Sequence, residues 1–268
     1  MKKISFAFIV LLTTHFISFS QSATDKRLLS FSVGPAFPLG DFGNKNVDNS
    51  RSGFASTGPF LTVEYSFPVA KKFGLVFALH GQNHPLATSK LEEEFADVNI
   101  YPVFWTSDPT QPLPKKTYPN WKFDKGSWWL ASAMVGGYGF FATKNPKLSF
   151  ITKGMIGVAY SVMPAFEGSS ITDTATATLT QESEDAFAFN FSVGGSFRYL
   201  LSKKLYLLGG LDWRGTNSFR YDAVTTQITT TRGTPGTPEY SVSQSVHRRP
   251  RLQKIHTLNP RIGIAVQL

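Results

Sequence analysis

The stretch Phe187–Leu201, FAFNFSVGGSFRYLL, decides how this chain folds. Large apolar side chains recur in it at nearly every second position, and small or polar residues occupy most positions between them. The apolar set is Phe187, Phe189, Phe191, Val193, Phe197, Tyr199 and Leu201. Because alternate side chains of a β-strand point to opposite faces, the pattern predicts a strand with one apolar face and one small, polar face.

The same alternation recurs along the chain. It is clear in the segment that begins at Leu29 and in the segment that ends at Leu268. Five further segments fit it less cleanly: Gly58–Val69, Phe73–Gln82, Ser127–Ala142, Leu148–Val162 and Leu205–Thr216. The sequence therefore predicts about eight strands, each long enough for the ~9–11 residues of a tilted membrane-spanning strand.

The connections between these strands alternate in length. Three are short, at 70–72, 143–147 and 202–204. Four are long, near 40–57, 83–126, 163–185 and 217–256. A strict alternation places every long connection at one end of an up-and-down meander. The expected fold is all-β: an eight-stranded antiparallel up-and-down transmembrane β-barrel with short periplasmic turns and long extracellular loops.

The choice between a membrane barrel and a soluble barrel depends on which face points outward. An eight-stranded barrel has an interior just wide enough for side chains to fill, so several Phe and Tyr from one strand fit better against lipid. Aromatic residues also cluster near predicted strand ends, as expected of a membrane-interface girdle. They are Trp128, Trp129, Tyr138, Phe140, Phe141, Tyr160, Tyr199, Tyr206 and Trp213. A soluble exported barrel or sandwich is the alternative.

Composition excludes several other classes. The 268 residues include no Cys, which excludes a disulfide scaffold, a Cys-ligated metal site and a thiol nucleophile. Aromatic residues reach 14 %, too many for a disordered chain. Beyond the first twenty residues, no segment offers the ~20 apolar residues of a spanning helix.

The first 22 residues have the pattern of a secretory signal peptide. Lys2 and Lys3 precede the mostly apolar stretch 4–19, and small or polar residues follow. Cleavage is expected between Ser20 and Ala23, which leaves residues 23–268 as one barrel domain. The expected location is therefore the cell outer membrane.

One short motif carries a family resemblance. The segment Phe31–Phe42, FSVGPAFPLGDF, with the strand and turn pattern behind it, resembles the bacterial outer-membrane β-barrel domain family of small OmpA/OmpX-like barrels. Many such barrels end in an aromatic residue, whereas this chain ends in Leu268. The resemblance implies an outer-membrane barrel that meets the barrel-assembly machinery during biogenesis. The family is functionally mixed, so it assigns no catalytic residue.

Charged residues on the predicted inward faces form the first candidate site. They are Glu64, Lys153, Arg198, Asp212, Arg214 and Arg261, accompanied by His80. Either they line an ion path or a gated plug, or they form a network of paired charges that fills a closed barrel. Buried charges are costly without partners, and eight strands leave little open bore, so the second interpretation is favoured.

The second candidate is the basic stretch 247–254, at the end of the last long loop. Closely spaced guanidinium groups can bind phosphates in a bidentate manner, so lipopolysaccharide is the expected partner. The candidate contacts are Arg248, Arg249, Arg251 and Lys254. A solvated loop base is the equally weighted alternative. Nucleic acid is not expected, because no binding motif is present and the compartment is wrong.

The long loop 83–126 is the third candidate. Ser89 and Glu92 have capping-box spacing and predict a short helix through Phe95. Aromatic residues beyond it predict a binding surface or a cap over the barrel mouth. They are Tyr101, Phe104, Trp105, Tyr118 and Trp121. The Thr-rich stretches 172–180 and 225–237 are interpreted as flexible loops.

No catalytic, metal or cofactor site is predicted. His80 and His84 lie near Glu92–Glu94 and Ser89 in sequence and could form a base–acid pair, so a lipid A-modifying activity is the enzymatic alternative. The spacing is no recognised nucleophile motif, however, and a non-enzymatic protein is expected. The predicted function is a non-enzymatic, structural and surface-binding outer-membrane barrel whose long loops contact lipopolysaccharide, a surface ligand or a protein partner. A narrow channel for small solutes or ions is the first alternative. A barrel component of an envelope-assembly or protein-export complex is the second.

Overall fold

A computed structural model describes residues 26–96, 99–100, 116–117, 120–172, 175–232 and 241–268. The predicted signal peptide and its cleavage site lie outside this set and stay predictions. The described residues form the following elements in chain order: β1 (Leu28–Leu39), a 3-10 turn (Gly40–Phe42), β2 (Gly58–Ala70), β3 (Phe73–Pro85), α1 (Thr88–Ala96), β4 (Asn99–Ile100), β5 (Lys116–Thr117), β6 (Lys122–Phe123), β7 (Ser127–Ala142), β8 (Leu148–Met163), β9 (Phe166–Thr172), β10 (Ala175–Gln181), β11 (Glu184–Ser202), β12 (Leu205–Thr216), β13 (Phe219–Arg232), β14 (Ser241–Gln253) and β15 (His256–Gln267).

Eight of these strands close into a barrel. Their order around it is β1-β15-β12-β11-β8-β7-β3-β2, and β1 pairs with β2 to complete the circle. Neighbouring strands are antiparallel throughout. The short turns fall at 71–72, 143–147 and 203–204. The predicted eight-stranded meander, with its alternation of short and long connections, is confirmed.

The barrel has an apolar outside and a polar inside. The apolar residues of the alternating pattern are the exposed ones, including Phe187, Val193 and Ile262. The inward positions between them hold buried polar residues such as Ser192 and Asn190. A soluble barrel would show the reverse arrangement. Closure also pairs every strand edge, which lipid requires. The chain is therefore a transmembrane β-barrel of the outer-membrane type.

None of the helices among the described residues is both long and apolar enough to cross a membrane.

A second sheet continues the barrel wall beyond the membrane. Its strand order is β14-β13-β10-β9-β6. Each of these strands is the chain neighbour of one barrel strand, and those barrel strands follow in the same order, β15-β12-β11-β8-β7. We call this sheet the extension. The interpretation of 172–180 and 225–237 as flexible loops was wrong for their described parts, which belong to β9, β10 and β13. Thr is β-branched and favours strands, so a Thr-rich segment need not be a loop.

An apolar core lies between the extension and the barrel mouth. Two adjoining groups of buried residues form it, one around Phe42, Trp128 and Tyr221 and the other around Leu91 and Trp121. The chain after β1 contributes Phe42, and α1 contributes Leu91. The described parts of the four long connections are therefore folded together rather than projecting separately into solvent.

Candidate functional site: a closed lumen below a folded extension

The charged residues on the inward faces meet in the middle of the lumen. Glu64 lies on β2, Lys153 on β8 and Arg261 on β15, while β12 supplies both Asp212 and Arg214. Each side chain points inward because it alternates with lipid-facing apolar residues. All five residues are at most 7 % exposed. We call this group the charge layer.

Two carboxylates hold the charge layer together. Glu64 pairs with Lys153 and accepts a hydrogen bond from Arg261 Nη1 at 2.9 Å. Asp212 Oδ2 lies 3.1 Å from Lys153 Nζ, 3.5 Å from Arg261 Nε and 3.7 Å from Arg214 Nη2. Lys153 and Arg261 therefore bridge the two carboxylates. Buried charges need this kind of mutual pairing, and the layer supplies it across four strands.

Arg198 and His80 lie on opposite sides of the charge layer. The Arg198 guanidinium sits over the Tyr138 ring, 5.7 Å from its centroid, on the side of the short turns. The ring nitrogens of His80 lie 2.7 Å from Thr62 Oγ1 and 3.2 Å from Gln82 Oε1, on the other side. Tyr138 was predicted in the interfacial girdle, which was wrong: its ring is buried in the lumen, where it contacts Arg198.

Side chains fill the lumen around these charges. Two cavities of about 20 Å³ each lie within it, and each can hold about one water molecule. Glu64, Lys153 and Arg261 line one cavity, whereas Arg214 and His80 line the other. The charge layer therefore lies between them. This arrangement suits a packed interior better than a path for solutes.

An aromatic plug covers the mouth above. Phe42 contacts Trp128 edge-on, with ring centroids 5.5 Å apart, and Trp128 contacts Tyr221 at 6.1 Å. Trp128 Nε1 donates to the carbonyl oxygen of Gly53 at 2.9 Å. Trp128 was predicted in the girdle, which was wrong: it is the second residue of β7, but its side chain is buried and points inward under the folded connections. Its neighbour Trp129 does face outward.

Arg251 belongs to this plug. Its Nη2 donates to the carbonyl oxygen of Ser52 at 2.6 Å, and its guanidinium lies 5.8 Å from the Trp128 ring centroid. Burial lowers the pKa of this guanidinium. The predicted phosphate contact at Arg251 does not fit this placement, because the guanidinium already contacts Ser52 and Trp128 inside the molecule.

The remaining cations of the basic stretch are exposed. Arg248 and Arg249 lie on β14, and Lys254 follows it directly. The stretch was predicted at the end of the last long loop, whereas the structure places most of it in β14, an edge strand of the extension. Exposed Leu252 lies between these cations. We call Arg248, Arg249 and Lys254 the cationic strip.

The cationic strip stands above an aromatic rim. His256, the first residue of β15, stacks on Trp213 with ring centroids 5.8 Å apart. Trp213 also contacts Phe191 at 5.2 Å. Amphipathic rings gather at the membrane–water boundary, so this cluster marks the upper edge of the bilayer. Lys254 is two residues and Arg248 eight residues before His256, or roughly 7 and 27 Å along the strand.

The aromatic loop residues are only partly described. Trp121 is 1 % exposed, stacks on Phe123 at 5.6 Å and meets Phe95 edge-on. Trp121 therefore does not form part of a binding surface; it packs in the core below the extension, which fits the alternative of a cap over the barrel mouth. The other four candidates, Tyr101, Phe104, Trp105 and Tyr118, lie outside the described residues.

The predicted short helix is confirmed as α1. Its Glu92 accepts a hydrogen bond from the backbone N–H of Phe123 at 3.2 Å, so this carboxylate ties the helix to β6. Glu93 pairs with Lys90, and Glu94 accepts from the backbone N–H of Val47. The three acids are thus engaged within the folded connections.

The histidines also have structural partners. His84 Nδ1 lies 2.9 Å from the carbonyl oxygen of Ser56, and His80 bonds to Thr62 and Gln82 as described above. Among the described residues, no group of three or more His, Cys, Asp or Glu could hold a metal ion. No sequence signal identified the residues of the buried plug, because Phe42, Trp128, Tyr221 and Arg251 come from four distant segments.

The chain was compared with known proteins. No family model and no curated protein matches it. Among solved structures it is similar to a major outer membrane protein from Thermus thermophilus, with 14 % identity, 91 % of this chain and 100 % of that chain covered, and a TM-score of 0.41.

Two further similar structures are Neisserial surface protein A and Ail, the attachment invasion locus protein of Yersinia pestis. Each is 10 % identical, with TM-scores of 0.36 and 0.34. They cover 90 % and 88 % of this chain, and 97 % and 99 % of their own. At these identities and scores the likeness transfers no function.

Proposed function

We propose that this protein is a non-enzymatic outer-membrane barrel that anchors its extension at the cell surface, and that the cationic strip binds phosphate groups of lipopolysaccharide. The observation that carries the proposal is the contrast between a lumen filled by the charge layer and exposed cations placed above the aromatic rim. The barrel then serves as a rigid base, and binding occurs on its outer wall.

The filled lumen makes the channel alternative the weaker one. A solute path would have to pass the charge layer, where Lys153 and Arg261 each lie close to both Glu64 and Asp212. It would also have to pass the plug around Trp128. Opening either barrier means separating buried ion pairs or removing a buried aromatic side chain, and both are costly.

The cationic strip matches an anionic amphiphile. Arg248 on the outer face can donate two parallel hydrogen bonds to a phosphate, and Lys254 adds a point charge nearer the bilayer. Arg249 pairs with buried Val224 and so points to the opposite face of β14, where it adds positive charge at the edge of the sheet. Exposed Leu252 offers apolar contact between them. Lipopolysaccharide carries its phosphates just above its acyl chains, so Lys254 lies at the level of the lipid phosphates and the two arginines lie higher.

Binding of lipopolysaccharide to the purified, refolded barrel tests the proposal. The triple variant Arg248→Ala, Arg249→Ala, Lys254→Ala should bind roughly tenfold more weakly, since each exposed charge contact contributes up to about 1 kcal/mol. The matched control removes three exposed lysines elsewhere outside the membrane: Lys45→Ala, Lys122→Ala and Lys125→Ala. Equal losses in both variants would show only a general charge effect and would remove the proposal.

Conductance in a planar bilayer separates the proposal from the channel alternative. Folded protein, verified by the altered gel mobility of the unboiled sample, should be electrically silent. Discrete and reproducible openings would favour the channel and make the charge layer the site to mutate.

A further inference from the structure

The short-turn end of the barrel carries a ring of positive charge. Each of the three short turns contains two lysines, and two more cations lie directly before β1. The eight residues are Lys26, Arg27, Lys71, Lys72, Lys144, Lys147, Lys203 and Lys204. Seven are exposed and Lys72 is half-buried. No acidic side chain lies in these turns or at 26–27. We call these eight residues the turn ring.

The described part of the opposite end of the molecule is close to neutral. The structure describes the side chains of ten cations there: Lys45, Arg51, Lys90, Lys122, Lys125, Arg220, Arg248, Arg249, Arg251 and Lys254. The acids described in the same way are eleven: Asp41, Asp48, Glu92, Glu93, Glu94, Asp124, Glu167, Glu182, Glu184, Asp185 and Asp222. The positive charge of the described surface is therefore concentrated at the short-turn end.

The turn ring lies at the level of lipid headgroups. The side chains that flank it face lipid: Val69 and Phe73 on either side of Lys71 and Lys72, and Leu201 just before Lys203 and Lys204. One or two residues of strand span only about 3–7 Å. Turns of two to five residues cannot project far from the bilayer, and lysine side chains beside apolar surface extend their ammonium groups toward the interface.

We infer that the turn ring binds the phosphates of anionic phospholipids in the periplasmic leaflet. The short turns of such barrels face the periplasm, and clustered lysines at a membrane surface attract anionic lipid. A cell-wall polymer is less favoured, because it lies beyond the reach of turns this short. The inference requires insertion in a membrane but not lipopolysaccharide binding, since the turn ring and the cationic strip share no residue.

Lipid selectivity measured by electron paramagnetic resonance tests this inference. The barrel is refolded in phosphatidylcholine vesicles that contain trace spin-labelled phosphatidylglycerol or spin-labelled phosphatidylcholine. The wild-type protein should prefer phosphatidylglycerol by roughly threefold, and salt should weaken the preference. The variant with Lys71, Lys72, Lys203 and Lys204 each changed to Gln should fall to nearly equal association with both lipids.

A matched variant and a second measurement keep the outcome interpretable. The control changes four lysines at the other end, Lys45, Lys90, Lys122 and Lys125, to Gln and should keep the preference. Gel mobility of the unboiled samples verifies that both variants fold. Equal selectivity in all three proteins would overturn the inference. So would an unchanged lipid preference together with loss of binding to isolated peptidoglycan, which would assign the turn ring to the cell wall.

Discussion

The barrel and the extension form one continuous wall. Apolar side chains lie on its outer face in the barrel and on its inner face in the extension. In β8, Ile156 and Val158 face outward and are exposed, while Lys153 on the same strand is buried inside. In β10, Thr178 faces outward and Leu179 is 3 % exposed on the inner side. The strands keep the period of two from one region to the other. Only the face that carries the apolar residues changes.

The surroundings explain the reversal. Lipid outside the barrel favours apolar side chains there and leaves the narrow interior to polar groups that pair with one another. Water outside the extension favours hydroxyl side chains on the outer face, so apolar residues gather inside. The barrel is consequently stabilised internally by ion pairs, whereas the extension is stabilised by an apolar core.

The largest loss of stability is expected when one internal carboxylate of the barrel is removed. Asp212→Asn leaves Lys153, Arg214 and Arg261 with one acid fewer in a buried layer, so the unfolding free energy should fall by about 3–5 kcal/mol. Urea unfolding monitored by gel mobility measures this. The exposed Asp222→Asn should change stability by less than about 0.5 kcal/mol. Similar small effects for both variants would mean that water reaches and screens the charge layer.

Lysine scanning of the outer wall should locate the boundary between lipid and water. Ile262 and Ile171 are 60 % and 71 % exposed, the first on barrel strand β15 and the second on extension strand β9. Ile262 lies midway along β15, six residues beyond His256 of the aromatic rim, so Ile262→Lys places a charge near the bilayer centre and should cost about 3 kcal/mol of unfolding free energy in vesicles. Ile171→Lys should cost less than about 0.5 kcal/mol, because water surrounds it. Equal costs would contradict the assignment of the extension to the aqueous side.

Truncation inside the extension should have the smallest effect and remain local. Leu179→Ala removes buried apolar volume and should destabilise the extension by about 2 kcal/mol. Its neighbour Thr178→Ala, on the outer face, should have an effect below about 0.5 kcal/mol. Hydrogen exchange should show faster exchange in β10 and β13 for Leu179→Ala and little change in β11 and β12. Equal acceleration in the barrel would show that the two regions unfold as one unit.

Local alternation explains how much of the fold was predictable. Each barrel strand carries its own apolar face, so segments such as Phe187–Leu201 and Ser127–Ala142 could be located without knowing their partners. The inward direction of Glu64, Lys153, Arg198, Asp212, Arg214 and Arg261 followed from the same parity. The lysine pairs of the turns are equally local, although their common position becomes evident only when the turns lie at one end.

The extension and the plug could not be predicted in the same way. Thr176, Thr178 and Thr180 alternate with small or apolar residues, and this weak pattern is shared by strands and polar loops. Trp121 and Trp128 have the composition of exposed loop or girdle residues, and only the packing of distant connections buries them. Arg251 is indistinguishable from Arg248 and Arg249 in sequence until Ser52 and Trp128 are brought beside it.

The sequence by itself determined the barrel, its orientation of polar and apolar faces, and the charge of its short turns, because each depends on side chains only one or two residues apart. The tertiary structure alone decided which charges meet, which aromatic side chains close the mouth and which arginines remain exposed. Those contacts join residues up to 199 positions apart, as between Ser52 and Arg251, and no local period encodes them.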